Sequence, residues 1–247
     1  MSEFADKVVL VTGACGGMGT AIADAFMRYG ARVVAADTQC GERAIADNGG
    51  NRLHRLHCDV SERTSVDMCV EQVTSRLGGV DVLINNAAIF PFGSFQSISL
   101  DSWRQVFKVN VEGVVNCCQA VIPSMRAKGW GRIVTIGSNT FHMGWENLSH
   151  YIASKGAITG LMRALAVELG DSGITANVIA PTLTRTPGTS ELFEQAPDVV
   201  KSIMSRQAIR RVGLPGDVAN AVILLCRQEA GFITGQTLAA DGGLAKL

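Results

Sequence analysis

Three side chains in the middle of the chain have the types and spacing to move a proton at an oxidisable carbon. Ser138 ends a short apolar run, Ile133, Val134 and Ile136, of the kind that fills a fully buried strand. Tyr151, thirteen residues later, opens YIASKGAITGLMRALAVEL, whose composition and periodicity predict a long helix. Lys155 lies four residues beyond, on the same helix face one turn away. A hydroxyl, a phenol and an ammonium can then converge on one small volume, which suits proton transfer coupled to oxidation at carbon. A free phenol titrates near ~10, too high for a base at neutral pH, and a Lys⁺ within a few ångströms favours the phenolate. Bringing the phenol to about 7 takes roughly 4 kcal/mol at about 1.36 kcal/mol per unit. Lys155 alone falls short of that. An oxidised nicotinamide ring is an obvious second positive charge. By itself Y-x-x-x-K also fits an ordinary helix tyrosine and a surface lysine, so the surrounding elements have to decide.

The elements that must position this trio start at KVVLVT (7–12), a β-branched strand that runs into GACGGMG, with glycines at 13, 17 and 19. The helical segment TAIADAFMRYG follows, with Gly30 as its C-cap glycine. Strand, glycine loop and helix N-terminus together bring backbone N–H groups to a diphosphate. The spacing is G-x-x-x-G-x-G, which departs from the usual G-x-G-x-x-G. The next strand, ARVVAAD, ends at Asp37, whose carboxylate can accept both ribose hydroxyls of an adenosine and repel a 2′-phosphate. Gly16 and Thr38 carry no charge to neutralise such a phosphate, although Arg43 could reach it. NAD is therefore expected over NADP.

RLHRLHCDV reads as a third strand ending at Asp59, with Asp59 and Val60 placed to hold an adenine edge. His54 and His57 fall on opposite faces of it with no third ligand nearby, so no metal site is expected. Ser61 suits the N-cap of the helix that follows. VDVLINNAA is a fourth strand ending in Asn85-Asn86-Ala87-Ala88, small and polar residues that allow close backbone approach to a ligand. Phe90, Phe92 and Phe95 either border an apolar pocket or pack beneath a loop. A single long helix is expected from Ser99 to Gly129, with Asn110 a polar residue on its apolar side. A buried asparagine needs partners, and Asn110 could anchor a water leading towards Lys155. NVIA runs into Pro181. Residues 182–207 then break the rhythm and read as a substrate-covering lid carrying Leu183, Leu192, Phe193 and Met204. VGLPGDVANAVILLC supplies a last helix and FITGQTLAADGG a last strand. The alternation predicts one α/β domain over 1–247, a Rossmann-type doubly wound parallel sheet of about seven strands flanked by helices. Its ligands belong at the strands' carboxyl ends.

Composition sets the bounds. The chain has 247 residues, 47% hydrophobic and 18% charged, with a formal net charge of zero. That balance offers no electrostatic footprint for nucleic acid or an anionic membrane. Seven scattered cysteines without a C-x-x-C pair read as buried free thiols in a reducing compartment. No signal peptide or membrane-length apolar run is evident, which predicts a cytoplasmic globular protein.

With these residues in hand, the chain resembles the short-chain dehydrogenase/reductase family from Lys7 to Leu247. The matching pieces are TGACGGMG at 12–19, Asp37, Asp59-Val60, NNAA at 85–88, Asn110, Ser138, Tyr151-x-x-x-Lys155, Pro181 with Thr186, and the DGG near the end. The resemblance implies that Tyr151 is the general acid/base and that Ser138 hydrogen-bonds the substrate oxygen. Lys155 would bind the nicotinamide ribose and depress the tyrosine, and Asn110 would hold a relay water. It further implies that Thr12 through Gly19, Met18 included, cradle the cofactor phosphates and ribose. Asn86 and Ala87 would line the cofactor, while Pro181, Leu183 and Thr186 meet its carboxamide end. The family commonly assembles as homotetramers. Ala88 and Thr182 stand where the family usually has glycine, and neither touches the trio.

SNTFHMGWENLSHYIASK together with APTLTRT is similar to bacterial members that oxidise aryl or cyclic secondary alcohols, such as phenylethanol dehydrogenases, and to pyridoxal 4-dehydrogenase. Phe92, Phe141, Met143 and Phe193, with Phe90, Trp145 and Leu183, would give a mostly apolar substrate pocket. The competing readings are a 3-oxoacyl-carrier-protein reductase, a polyol or sugar dehydrogenase, and a nucleotide-sensing regulator without catalysis.

Overall fold

The first strand shows why the sheet forms. Each residue of β1 (Val8–Thr12) is buried. Val8 and Leu10 enter the core on one face of the sheet, and Val9 and Val11 enter the core on the other. A parallel strand covered on both faces has to be apolar at nearly every position. The computed structural model describes residues 3–41 and 52–245. Arg43 lies outside the described residues.

The remaining strands are β2 (Arg32–Asp37), β3 (Leu53–His57), β4 (Val82–Asn85), β5 (Gly131–Ile136), β6 (Ile174–Pro181) and β7 (Thr237–Ala240). All pair in parallel, in the order β3-β2-β1-β4-β5-β6-β7. The helices are α1 (Gly17–Arg28), α2 (Arg63–Leu77), α3 (Leu100–Phe107), α4 (Gly113–Lys128), α5 (Thr140–Met143), α6 (Ser149–Leu169), α7 (Ser190–Gln195), α8 (Pro197–Arg206) and α9 (Pro215–Cys226). Helices α2, α4 and α6 cover one face, and α1 and α9 cover the other. Strand order reverses between β1 and β4, so the chain leaves those two strands in opposite directions. A crevice opens there at the carboxyl ends. No described helix is long and apolar enough to cross a membrane.

Local structure departs from the sequence expectation at four places. Strand β3 stops at His57 because Asp59 starts a turn, its Oδ1 accepting Ser61 N at 2.9 Å and Ser61 Oγ at 2.7 Å. Ser61 is thereby taken from its expected capping role, and Glu62 precedes α2 with no side-chain cap. The expected single helix from 99 to 129 is split by a π-turn, Lys108–Glu112, between α3 and α4. Helix α5 is an extra turn between Ser138 and Tyr151. At the first helix, Tyr29 is the C-cap of α1 and Gly30, with φ +92°, follows it.

The segment 182–207 contains α7 and α8 and hangs from fixed ends. Thr184 bridges to Gly213, Arg185 N donates to Gly213 O at 2.9 Å, and Gln207 Nε2 donates to Asp241 O at 3.0 Å.

Candidate active site

Strand β5 delivers Ser138 two residues beyond its end, and α5 starts immediately after. Ser138 Oγ lies 2.8 Å from Thr140 Oγ1 and accepts Thr140 N at 3.2 Å, which fixes the hydroxyl. The Ser138 hydroxyl also faces the phenol of Tyr151 and favours its charged form. Lys155 is buried on α6, and its Nζ donates to Ile136 O at 2.7 Å, tying the helix to the end of β5. The same nitrogen sits 5.4 Å from the Tyr151 ring centroid. The structure thus brings Ser138, Tyr151 and Lys155 together.

Their electrostatics differ from the simple expectation. Burial lowers Lys155 to about 8, and burial raises the Tyr151 phenol, with the Ser138 hydrogen bond pulling the other way. Both charged forms lose hydration in the same pocket. In the free protein Lys155 therefore does not offset the cost of burying the phenolate, and a further positive charge is needed for that.

Asn110 is buried inside the π-turn, a helix irregularity frequent at functional sites. Its Oδ1 accepts Ile89 N at 2.8 Å, and its Nδ2 donates to Ile89 O at 2.9 Å and to Ser154 Oγ at 3.1 Å. Ser154 Oγ donates in turn to Tyr151 O at 2.6 Å. The side chain braces the turn after β4 against the helix that carries the phenol. A relay water would have to use the remaining lone pair of Oδ1 or the Asn110 main chain.

The glycine loop lies against Asn86 and Ala87. Gly13 has φ +62°, and a Cβ there would lie 2.8 Å from Ala87 Cα; a Cβ on Gly19 would collide with the Gly13 carbonyl. Asn86 Nδ2 donates to Thr12 O at 3.0 Å and Gly13 O at 2.9 Å. Helix α1 starts without a side-chain cap or an acidic residue in its first turn, which leaves the N–H groups of Gly17, Met18 and Gly19 for an anion. Asp37 Oδ2 accepts Cys15 N at 2.9 Å and Oδ1 accepts Gln39 N at 3.0 Å, with lone pairs left over for hydroxyl donors. Asn86 Oδ1, Asn139 Nδ2 and Thr182 Oγ1 are buried without a partner among the described residues. These groups at the carboxyl edge fit a dinucleotide. Pro181 is buried and its carbonyl accepts Asn139 N at 3.0 Å, Leu183 is half-buried, and Thr186 and Pro187 lie against Gly17. At the adenine end the side chains are otherwise engaged: Asp59 holds Ser61, and Val60 packs against Gly113.

The expected apolar pocket is assembled only in part. The Phe90 ring meets Tyr151 edge-on at 6.1 Å and approaches Gly188 of the 182–207 segment. The Phe141 ring lies on Gly156, where a Cβ would come within 2.9 Å of it. Phe92 is 59% exposed, Met143 is half-buried, and Phe193 has the Arg185 guanidinium 4.5 Å over its ring. His150 is buried beside Trp103, its Nδ1 accepting Tyr151 N at 3.0 Å, and burial keeps it neutral at pH 7.

Residues 13–245 match the family model described as enoyl-(acyl carrier protein) reductase. The chain is 36% identical over 242 residues to a hydroxy(phenyl)methylsuccinyl-CoA dehydrogenase subunit, BbsD, of Thauera aromatica, covering 96% of each chain. It is 35% identical over 243 residues to the 3-oxoacyl-(acyl-carrier-protein) reductase FabG of Escherichia coli, covering 98% of each. A short-chain dehydrogenase/reductase from Brucella melitensis, a glucose/ribitol dehydrogenase by name, superposes with a TM-score of 0.89 at 30% identity over 99% of both chains. The chain belongs to the short-chain dehydrogenase/reductase family.

As a short-chain dehydrogenase/reductase the protein is an oxidoreductase of a family that generally uses NAD(P)(H). Sequence reasoning missed Thr140, Ser154 and the carbonyl of Ile136, each of which holds one member of the trio. Thr140 had a readable signal, a hydroxyl two residues after Ser138 at a strand end. The other two had none, because their partners are set by packing.

Proposed function

We propose that this short-chain dehydrogenase/reductase transfers hydride between NAD(H) and a hydrophobic, aromatic or cyclic secondary alcohol/ketone pair. The observation that carries the reading is Ser138 and Lys155 converging on Tyr151, with the Phe90 ring against the same phenol. Ser138 holds the substrate oxygen, and Tyr151 exchanges a proton with it. Lys155, charged at neutral pH, favours the phenolate and takes a ribose hydroxyl. An oxidised nicotinamide, when bound, would supply the hydride acceptor and the second positive charge. In the oxidative direction Tyr151 would take the proton from the substrate's hydroxyl oxygen while the carbinol carbon gives up hydride, and reduction would reverse both transfers. Asn110 keeps the phenol's helix in register and holds the relay water.

Asp37 supports NAD over NADP, since a 2′-phosphate would sit against its carboxylate. Gly13, Gly17, Met18, Gly19, Asn86 and Ala87 cradle the dinucleotide, and Asp59 with Val60 border its adenine through their main chain. Residues 182–207 act as a lid within the one domain. The aromatic preference draws on Phe90 and Phe141 and on the phenyl carbinol named in the Thauera relative. Assembly into a homotetramer would cover Val167 and Phe232, both exposed.

A second reading, reduction of a 3-oxoacyl thioester, is favoured by the 35% identity to FabG. Initial rates with NAD⁺ and NADP⁺ against aryl alcohols, terpene alcohols, polyols and 3-hydroxyacyl thioesters separate the two. Turnover of aryl alcohols with NAD⁺ is the expected result. Turnover confined to NADP⁺ and the thioester would overturn both the cofactor and the substrate assignments.

A further inference from the structure

The cysteines are not all the buried thiols that their scatter suggests. Cys15 is exposed in the glycine loop, and its Sγ lies 3.4 Å from Sγ of buried Cys40, twenty-five residues away. Both thiols flank Asp37: Cys15 N donates to its Oδ2 at 2.9 Å, and Cys40 N donates to its main-chain carbonyl at 3.2 Å. Cys40 Sγ also donates to Ala35 O at 3.6 Å. Nothing in the proton and hydride chemistry uses either sulfur.

We propose that Cys15 and Cys40 form a reversible disulfide when hydrogen peroxide reaches the protein, and that this bond closes the adenosine end of the cofactor crevice. The closing effect rests on the reading of Asp37 given above. The Cys15 thiolate attacks a peroxide oxygen, the O–O bond breaks, and Cys15 becomes a sulfenic acid as water leaves. The Cys40 sulfur then attacks the Cys15 sulfur, forming S–S and breaking S–O, and a second water carries away the Cys40 proton. Two thiols lose two electrons and one peroxide becomes two waters. Exposure sets the order: Cys15 meets the oxidant, while burial and the Cys15 contact push Cys40 up to about 12, so it stays protonated until its partner is activated. The bond draws the sulfurs from 3.4 Å to about 2.05 Å. That pulls the glycine loop onto the turn after β2, across the carboxylate that would accept the ribose. A dinucleotide already in place would cover Cys15 and slow the oxidation.

The reduced full-length protein is treated with hydrogen peroxide, with and without saturating NADH. Linked peptides are then mapped by mass spectrometry without reduction, and NADH binding is titrated by fluorescence before oxidation, after it, and after dithiothreitol. A Cys15–Cys40 linkage, a tenfold or greater loss of NADH affinity restored by dithiothreitol, and slower linkage with NADH bound are the expected results. Cys40→Ser should keep its activity and its NADH affinity through the same treatment. Linkage without loss of affinity overturns the gating, and loss of affinity in Cys40→Ser equal to that of the parent overturns the role of the pair. If peroxide gives no linkage in a protein that binds NADH, the inference fails and the cofactor reading stands. If the reduced protein binds no nicotinamide nucleotide, the cofactor reading fails and the gating with it, and the mass map then judges the thiol pair alone.

Discussion

Lys128 and Lys155 each bring an ammonium to one end of the parallel sheet, and the two ends treat it oppositely. At the amino end, Lys128 Nζ meets Asp81 Oδ1 at 2.7 Å and Gly79 O at 3.1 Å, while Asp81 Oδ2 accepts Val8 N at 2.7 Å. Charge and hydrogen bonds close within the chain. At the carboxyl end, Lys155 has the Ile136 carbonyl and no ion pair among the described residues, and burial lowers it to about 8. Asn86 Oδ1 and Thr182 Oγ1 are buried there without a partner among the described residues. A closed network builds the scaffold. Buried groups with capacity left over mark the end where a ligand completes the set.

The contrast is tested most strongly at Tyr151. Tyr151→Phe removes the proposed proton carrier at the open end, so turnover should fall by about 10³-fold, within the ~10²–10⁴ of general acid–base catalysis. An NADH fluorescence titration should be unchanged, and a variant with near-parental rates would remove Tyr151 from the proton-transfer role.

Lys155→Met should lower turnover by about 10²-fold and yet stabilise the ligand-free protein at pH 7. The native value of about 8 lies below the usual 10.5, so between those values the unfolded chain holds a proton that the native one lacks. Stability of the parent therefore rises with pH through that window. Below it the full cost of the buried charge, roughly 3 kcal/mol at about 1.36 kcal/mol per unit, is present. Urea midpoints of variant and parent at pH 7 and pH 10.5 measure the difference, which should shrink at the higher pH. A variant less stable than the parent at pH 7 would mean that Lys155 is structural.

Lys128→Met should do the reverse, keeping turnover per folded molecule and costing about 2–3 kcal/mol. That is below the ~3–5 kcal/mol of a fully buried pair, because Lys128 keeps 31% of its side chain in water. Chemical denaturation gives the stability, and active-site titration gives the folded fraction. Arg104→Ala breaks an ion pair with Asp101 whose side chains are 73% and 91% exposed, and its urea midpoint should match the parent's. A midpoint shift as large as that of Lys128→Met would show that pairing, and not burial, makes the amino end stable.

Much of this was legible in the chain. The apolar runs around Leu10, Ile84, Val134 and Val178 read as strands because a strand buried on both faces has few polar options. Tyr151 and Lys155 were readable as neighbours because four residues make one helical turn. The π-turn at Asn110 was not readable, since one extra residue in a helical turn leaves no mark on composition. Ser61 looked like a cap and became a partner of Asp59, because two acceptors competed for the same short segment. Phe193 looked like a pocket wall, but the Arg185 guanidinium stacks over its ring, a contact only the fold creates.

The sequence by itself determined the seven-stranded architecture and the family, and it put the candidate site residues at one edge of the sheet. Residue type and local spacing are enough for those, because they act within one strand or one helical turn. Only the tertiary structure decided that Asn110 is a brace, that Tyr151 is held neutral in the free protein, and that Cys15 faces Cys40 across Asp37. Those depend on what packs around each group and on how much water it loses, and both are set by parts of the chain far away in sequence.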